Sequence, residues 1–337
     1  MPFDHDGDPS RDYGKAGGDV KMRISNTTLA YGEMQPQAPV FATADNYLMP
    51  QTATGFHLTS HEIQGLDLDA GRFTAGTGTT STRHDGDLIA SYANVTSSAA
   101  TFAGAKYAFN KQFNASLYVD RLQDVWDQYY TNLNFTQPLG GDQSLGLDFN
   151  LYRTQDSGSA RAGSINTTAF SLAAAYTVGA HTFTVAGQKV HGAEPFDYMG
   201  FGSLDSGTTG GRYGNSIYLA DSVQYSDFNG PNERSLQVRY DLDLSSYGVP
   251  GLSFMVRHIR GYGIDGSHLD ASSAYYNDYG SDDQEHETDA EAKYVVQSGP
   301  AKDLSFHLRQ AWHAGDPSTG GRLEQTRLIT EYPLNIF

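Results

Sequence analysis

The sequence predicts an all-β fold, a transmembrane antiparallel β-barrel, and three observations carry that prediction. Segments of about nine to eleven residues, the length a tilted strand needs to cross a bilayer, alternate apolar and polar side chains with a period of two. The connections between those segments alternate short and long. The composition supplies 37 glycines, 22 tyrosines and 17 phenylalanines against 2 tryptophans, which suits aromatic-tipped strands joined by turns.

The rest of the composition narrows the class. At 337 residues the chain is long enough for two soluble domains or one large barrel. It contains no run of about 18 or more apolar residues, so a membrane-spanning helix is excluded, and mean hydropathy is -0.49. A net charge of -17 argues against nucleic acid as a partner, because neutralising phosphates needs clustered Lys and Arg. There is no cysteine, hence no disulfide or thiolate-metal site. Met1-Pro2-Phe3 opens into polar sequence with neither a basic nor an apolar leader, so the chain is expected to lack its signal peptide or to begin mid-protein.

Taken in order, Asp4–Gly18 is acidic and Gly-rich. The spacing of Asp4, Asp6, Gly7 and Asp8 suggests calcium but lacks the distal bidentate Glu of an EF-hand, and a solvated loop accounts for it. Strands are predicted over Asp19–Asn26, where Val20, Met22 and Ile24 oppose Lys21 and Arg23, and over Thr28–Met34. The connection 35–55 carries three prolines, which forbid a central strand. Phe56–His61 and Leu66–Thr74 form the next hairpin, and Ala75–Ser98 a second long connection with an apolar piece at Leu88–Tyr92 left as loop. Thr101–Phe109, Phe113–Arg121, Gln128–Pro138, Ser144–Arg153, Thr168–Val178 and His181–Val190 follow. After the long interruption 192–231, strands recur over Leu236–Leu244, Leu252–Ile259, Thr288–Val296, Lys302–His313 and Arg327–Ile336.

The Lys302–His313 strand shows the pattern most plainly. Leu304, Phe306, Leu308 and Trp312 fall on one face, and Ser305, His307, Arg309 and Ala311 on the other. Together these segments give about fifteen strands, with every short turn falling at one end and every long loop at the other. A soluble sandwich has no reason to sort its loops this way; an outer-membrane barrel does. Single-chain bacterial barrels have an even strand count, so an odd count predicts missing strands and an incompletely closed sheet.

Several segments then resemble the OprD-type porins, the substrate-specific outer-membrane channels of Gram-negative bacteria. They are YGEMQPQAPVFA (Tyr31–Ala42), LMPQTATGF (Leu48–Phe56), GLDLDAGRFT (Gly65–Thr74), VQYSDFNGPNE (Val223–Glu233), YGVPGLSFMVR (Tyr247–Arg257), AKYVVQSGPAKDLSF (Ala292–Phe306) and the terminal RLITEYPLNIF. The match extends over the whole chain. It implies a single porin domain over 1–337, part of a barrel of about eighteen strands from which the signal and about three strands are absent. It further implies a pore narrowed by loops, here 35–55 and 192–231, a basic ladder facing an acidic loop, outer-membrane lipid and lipopolysaccharide as surroundings, a loose homotrimer, and no cofactor.

Alternation places Lys21, Arg23, Lys106, Arg239, Arg257, Lys293, Arg309 and Arg327 on the inward, polar face. Lumen charges can simply solvate a wet pore; the resemblance makes them a ladder that hands an anionic group along in short, weak steps. His307 stands where the family usually has a further arginine, so this ladder is weaker or titrates near neutral pH. The resemblance also assigns Tyr92, Tyr198, Ser216, Tyr225 and Asp227 to the constriction, with Asn215 replacing an acid, so that the negative pole rests on Asp227. Most tyrosines in such loops are accounted for by packing alone. Asp282, Asp283, Glu285, Glu287 and Asp289 read as a solvated acidic loop.

A peptidase activity sometimes attached to the family would fall on Arg72, Asp124 and Ser216. Arginine stays protonated and cannot act as general base, and no GxSxG elbow is present, so an enzyme is rejected. No zinc-ligand motif occurs. The expected function is passive uptake of small carboxylate-bearing solutes, namely basic amino acids, short peptides and, by resemblance, carbapenems. The rival is a non-conducting barrel that binds a partner through acidic loops, and channel conductance separates the two.

Overall fold

The computed structural model describes residues 14–47, 49–82, 84–203 and 212–333. The Asp4–Asp8 spacing lies outside them. Among the described residues there are twenty strands: β1 (Asp19–Ile24), β2 (Thr27–Met34), β3 (Gln37–Ala38), β4 (Phe41–Ala42), β5 (Thr52–Ile63), β6 (Leu66–Thr77), β7 (Asp87–Ala90), β8 (Val95–Ser97), β9 (Ala100–Ala108) and β10 (Phe113–Leu122), then β11 (Trp126–Gly140), β12 (Gln143–Asp156), β13 (Asn166–Val178), β14 (His181–His191), β15 (Met199–Gly202), β16 (Arg234–Asp243), β17 (Leu252–Asp265), β18 (Ser281–Val295), β19 (Ser305–Gly315) and β20 (Leu323–Glu331).

Fifteen of them form one antiparallel sheet in strict chain order, β1-β2-β5-β6-β9 through β14, then β16 through β20. Among the described residues no ladder joins β1 to β20, so the sheet has two edges. The remaining five belong to loops: β3 pairs β4, and β15-β7-β8 make a three-stranded sheet.

The pleat sorts the side chains as the sequence predicts. On β19, Phe306, Leu308 and Trp312 are exposed while Ser305, His307, Ala311 and His313 are buried. Leu236 and Val238 are likewise exposed, and their neighbours Ser235 and Gln237 buried. One face is therefore a broad apolar band and the other is covered. An aromatic girdle closes the band at the short-turn end: Tyr107 meets Phe109 at 4.8 Å, Phe109 stacks on Phe113 at 5.0 Å, and Phe183 lies 5.2 Å from Tyr240. Exposed apolar faces ringed by aromatics are what hydrocarbon and its interfaces stabilise.

What covers the other face is loop. Phe41, from 35–51, stacks on Phe73 of β6 at 4.6 Å and on Phe102 of β9 at 5.5 Å, and meets Phe201 edge-on at 5.3 Å. Tyr152 of β12 donates its hydroxyl to the Pro39 carbonyl at 3.0 Å and accepts the Tyr218 N–H at 3.0 Å. Gln188 of β14 donates to the Phe228 carbonyl at 2.8 Å, and Gln224 donates to the Gln325 carbonyl of β20 at 3.1 Å. One loop segment thus touches β12, β14 and β20, so the sheet curls around it.

Three elements differ most from the sequence reading. Leu88–Tyr92 contributes β7, which forms a short hairpin with β8 (Ala90 opposite Val95) and on its other edge pairs with β15 in a distant loop (Ala90 opposite Met199). β18 begins at Ser281, seven residues before the predicted start, and takes the acidic cluster into the sheet. The last strand is displaced too: β20 starts at Leu323 and ends at Glu331.

Candidate functional site: the cavity beneath the loops

The acids of β18 are the main departure, because they alter the electrostatics of the inner wall. Glu285, Glu287 and Asp289 are 4%, 0% and 1% exposed and point inward at alternate positions. Glu287 accepts the backbone N–H groups of Tyr225 at 2.9 Å and Ser226 at 2.8 Å, anchoring loop 192–233 to the wall. Glu285 meets His313 Nε2 at 2.7 Å, and the His313 ring lies 4.7 Å from Tyr225. Of the five acids that read as a solvated loop, Glu285, Glu287 and Asp289 are buried on the inner wall, while Asp282 stays exposed.

The register then fixes the basic residues. Arg239 stands opposite Arg257, and Arg257 opposite Asp289, while Glu291 stands opposite Arg309 and Arg309 opposite Arg327. Arg257 donates Nε to Asp289 Oδ2 at 2.6 Å, Arg309 donates to Glu291, and Arg239 bonds Asp241 on its own strand at 2.6 Å. The C-terminal wall is therefore a row of arginines, three of them each answered by a carboxylate. Lys293 stands opposite His307, which is buried with Glu291 and Glu331 at 3.8 and 3.6 Å. Among the described residues no carboxylate pairs with Arg327, which donates to the Gln325 side chain at 2.7 Å and the Gln224 carbonyl at 2.9 Å.

A cavity of about 470 Å³ lies between the loops and this wall. Tyr92, Tyr198, Tyr225, Asp227 and Arg327 line it, with Asn215 and Glu285. Asp227 is held by three hydroxyl donors: Tyr92 at 2.8 Å and Tyr198 at 2.7 Å on Oδ2, and Ser222 at 2.6 Å on Oδ1. Burial and the neighbouring Asp227 charge push both tyrosine pKa values well up, so they remain donors. The cavity lining thus carries both a fixed carboxylate and a guanidinium.

The other predicted positions lie elsewhere. Ser216 is fully buried with its hydroxyl unpartnered, behind Asn215. Arg257, Lys293 and Arg309 are on the wall outside this cavity's lining. Lys106 borders a separate cavity of about 560 Å³ with Asn114, Asn132, Asn134 and Asp148. Arg239 lines another, with Asp148 and Asp241. Lys21 and Arg23 are on the edge strand β1, Lys21 paired with Asp19 at 3.2 Å and Arg23 turned to the Ser25 carbonyl at 2.9 Å.

Sequence reasoning missed Asp197. Its carboxylate accepts the N–H groups of Tyr92 at 2.9 Å, Ala93 at 3.0 Å and Tyr198 at 2.7 Å, and the Tyr275 hydroxyl at 3.0 Å. Burial pushes its pKa up to about 6 against the pull of those bonds. Three of its four donors are backbone groups, which leave no mark in a sequence. Among the described residues no group of His, Cys, Asp or Glu is arranged to hold a metal ion.

A curled antiparallel sheet with a lipid-suited exterior and loops folded across a charged interior defines an outer-membrane porin. Residues 1–336 match the model for the outer membrane porins of the OprD family, and the chain belongs to that family. It is 57% identical over 339 residues to Porin D of Pseudomonas aeruginosa, covering all of this chain and 76% of that protein. It is 31% identical over 341 residues to the porin-like protein GalP of Pseudomonas putida, covering all of this chain and 75% of GalP. Among solved structures it superposes on P. aeruginosa OprD with a TM-score of 0.87 at 55% identity, over 97% of this chain and 81% of that one. With P. aeruginosa OccK1 (OpdK) the TM-score is 0.83 at 34% identity, over 99% and 83%. Fold and family indicate a passive channel for small solutes.

Proposed function

We propose that the channel passes small solutes bearing a carboxylate and a cationic group, with basic amino acids and short peptides as the preferred class and carbapenems, by likeness to the family, sharing the route. The observation that carries this is that Asp227 and Arg327 both line one cavity of about 470 Å³. Opposite charges on facing linings of a narrow wet gap give a transverse field, focused by the low-dielectric wall. A zwitterion with an added cation aligns with that field, its carboxylate toward Arg327 and its cation toward Asp227; a neutral sugar gains nothing. Arg309, Lys293, Arg257 and Arg239 continue the basic row along the wall. Lumen water keeps each contact near ~1 kcal/mol at ~4 Å, weak enough for release.

Two points support the carboxylate requirement. The relative OpdK has been solved with vanillate, a carboxylate. Among the described residues no carboxylate forms an ion pair with Arg327, which lies beside the loops 35–55 and 192–231 that we propose constrict the pore. Liposome swelling tests the reading: Arg327→Ala should slow arginine entry severalfold and leave a neutral sugar of equal size unchanged. Equal losses for both would reduce Arg327 to holding the pore's shape.

A further inference from the structure

The outer surface carries a feature the transport reading does not use. At the loop end of the sheet, Arg72, Arg121, Arg153, Lys189, Arg234 and Arg260 all alternate with buried neighbours and so point outward. Arg121 is neutralised by Asp127 at 2.6 Å. Among the described residues, no carboxylate pairs with Arg234, Arg260, His258 or His286.

These four, with Lys189, form one patch on the adjacent strands β14, β16, β17 and β18. Lys189 stands opposite Arg234, and Arg260 opposite His286. The Arg234 guanidinium lies over the Tyr262 ring at 5.9 Å, and the His258 and His286 rings are 6.1 Å apart. Arg260, His258, His286 and Gln284 line a depression of about 510 Å³. Arg260 donates to the Gln284 side chain at 3.3 Å. The acids on its lining are already engaged: Asp316 accepts the Gln284 N–H at 2.9 Å, and Glu285 turns inward to His313 at 2.7 Å.

The height of the patch decides what it meets. His258 is opposite Val238 and Arg260 opposite Leu236, and both apolar residues are exposed members of the outer band. Trp312, opposite Thr288, marks the same level on β19. Two residues of strand span about 7 Å, so the bases stand at the boundary of the hydrocarbon, level with lipid headgroups. In barrels of this class the long loops are external, so the headgroups at that end belong to the outer leaflet.

An unneutralised guanidinium at that depth is costly unless an anion meets it, arginine matches phosphate geometry in particular, and an imidazole N–H beside it adds a further donor. We propose that the depression holds the phosphate of an outer-leaflet glycolipid, with Arg260 and His286 as its ligands and Arg234 and Lys189 flanking. The inference rests on the outer-membrane placement and is independent of which solutes cross the pore.

Native mass spectrometry of the detergent-solubilised chain tests it with three probes: diphosphoryl lipid A, the same lipid stripped of both phosphates, and inorganic phosphate. Diphosphoryl lipid A should be retained, and R260Q/H286Q should weaken retention by about tenfold, the scale of one lost charge-assisted bond. The stripped lipid should bind weakly and equally to both proteins, and single-channel conductance should be unchanged. Equal retention of the two lipids by the wild type would overturn the proposal, as would an unaffected double variant. Inorganic phosphate binding as tightly as the lipid would reassign the depression to a free anion. Should the double variant fail to fold, the wild-type comparison of the two lipids decides alone.

Discussion

Arg257 and Asp289 bond across neighbouring strands at 2.6 Å, and Asp289 keeps its second oxygen buried and unpartnered. The guanidinium that would greet a solute carboxylate is thus partly satisfied by the wall itself. Binding there is a competition with a resident carboxylate, which favours quick release over tight capture.

Removing that competitor should change selectivity in a definite direction. Asp289→Asn should free Arg257 toward the lumen and shift the reversal potential in planar bilayers toward anions. The same change leaves a half-enclosed guanidinium without its counter-charge, which should cost about 1–3 kcal/mol and lower the temperature of heat-modified mobility.

Asp227→Asn should act on cations. The amide oxygen still accepts from Tyr92 and Tyr198, so the loop should keep its place while the negative pole is lost. Arginine flux relative to a neutral sugar should fall severalfold, in line with ~1 kcal/mol for a solvated contact, and the difference should shrink as salt rises. An unchanged ratio would locate the cation-binding step elsewhere.

Asp197 gives the loops that it fastens a pH-dependent stability. Its folded pKa, pushed up to about 6, exceeds the unfolded value near ~4, so the folded form holds the extra proton between them. Its contribution to stability is therefore greatest at low pH and declines as pH rises through about 6. Thermal unfolding in detergent should show a higher midpoint at pH ~5 than at pH ~7. Asp197→Asn should flatten that difference, and should lower both midpoints because one amide hydrogen then confronts a backbone donor.

Phe41→Ala should remove the stack on Phe73 and Phe102, a truncation of a fully buried aromatic worth about 3–5 kcal/mol. Because that ring pins the 35–51 segment to the inner face, the expected result is larger and noisier single-channel conductance. Conductance and noise equal to the wild type would mean that the segment does not narrow the path.

How much of this was legible depended on what the outward face carried. Leu236, Val238, Phe306 and Trp312 face lipid, so their strands declare themselves by apolar alternation. The first half of β18 does not, because outward Gln284, His286 and Thr288 are as polar as inward Glu285, Glu287 and Asp289. The signal there was the spacing of the acids themselves, every second residue from Asp283 to Glu291. The positions Tyr92, Tyr198, Tyr225, Asp227 and Arg327 came from family resemblance and from strand alternation, and the structure brings those five to one cavity. The β7–β15 pairing and the Asp197 bonds to Tyr92 and Ala93 join residues more than a hundred apart in sequence, and no local pattern encodes them.

The four donors around Asp197 come from three stretches of chain, at 92–93, 198 and 275. A single carboxylate is their common fastening, so these stretches have little freedom to shift one at a time. Fluctuations of the pore should accordingly appear as discrete current levels rather than a continuous spread. Paired substitutions in different loops should depart from additivity even where the altered side chains never touch.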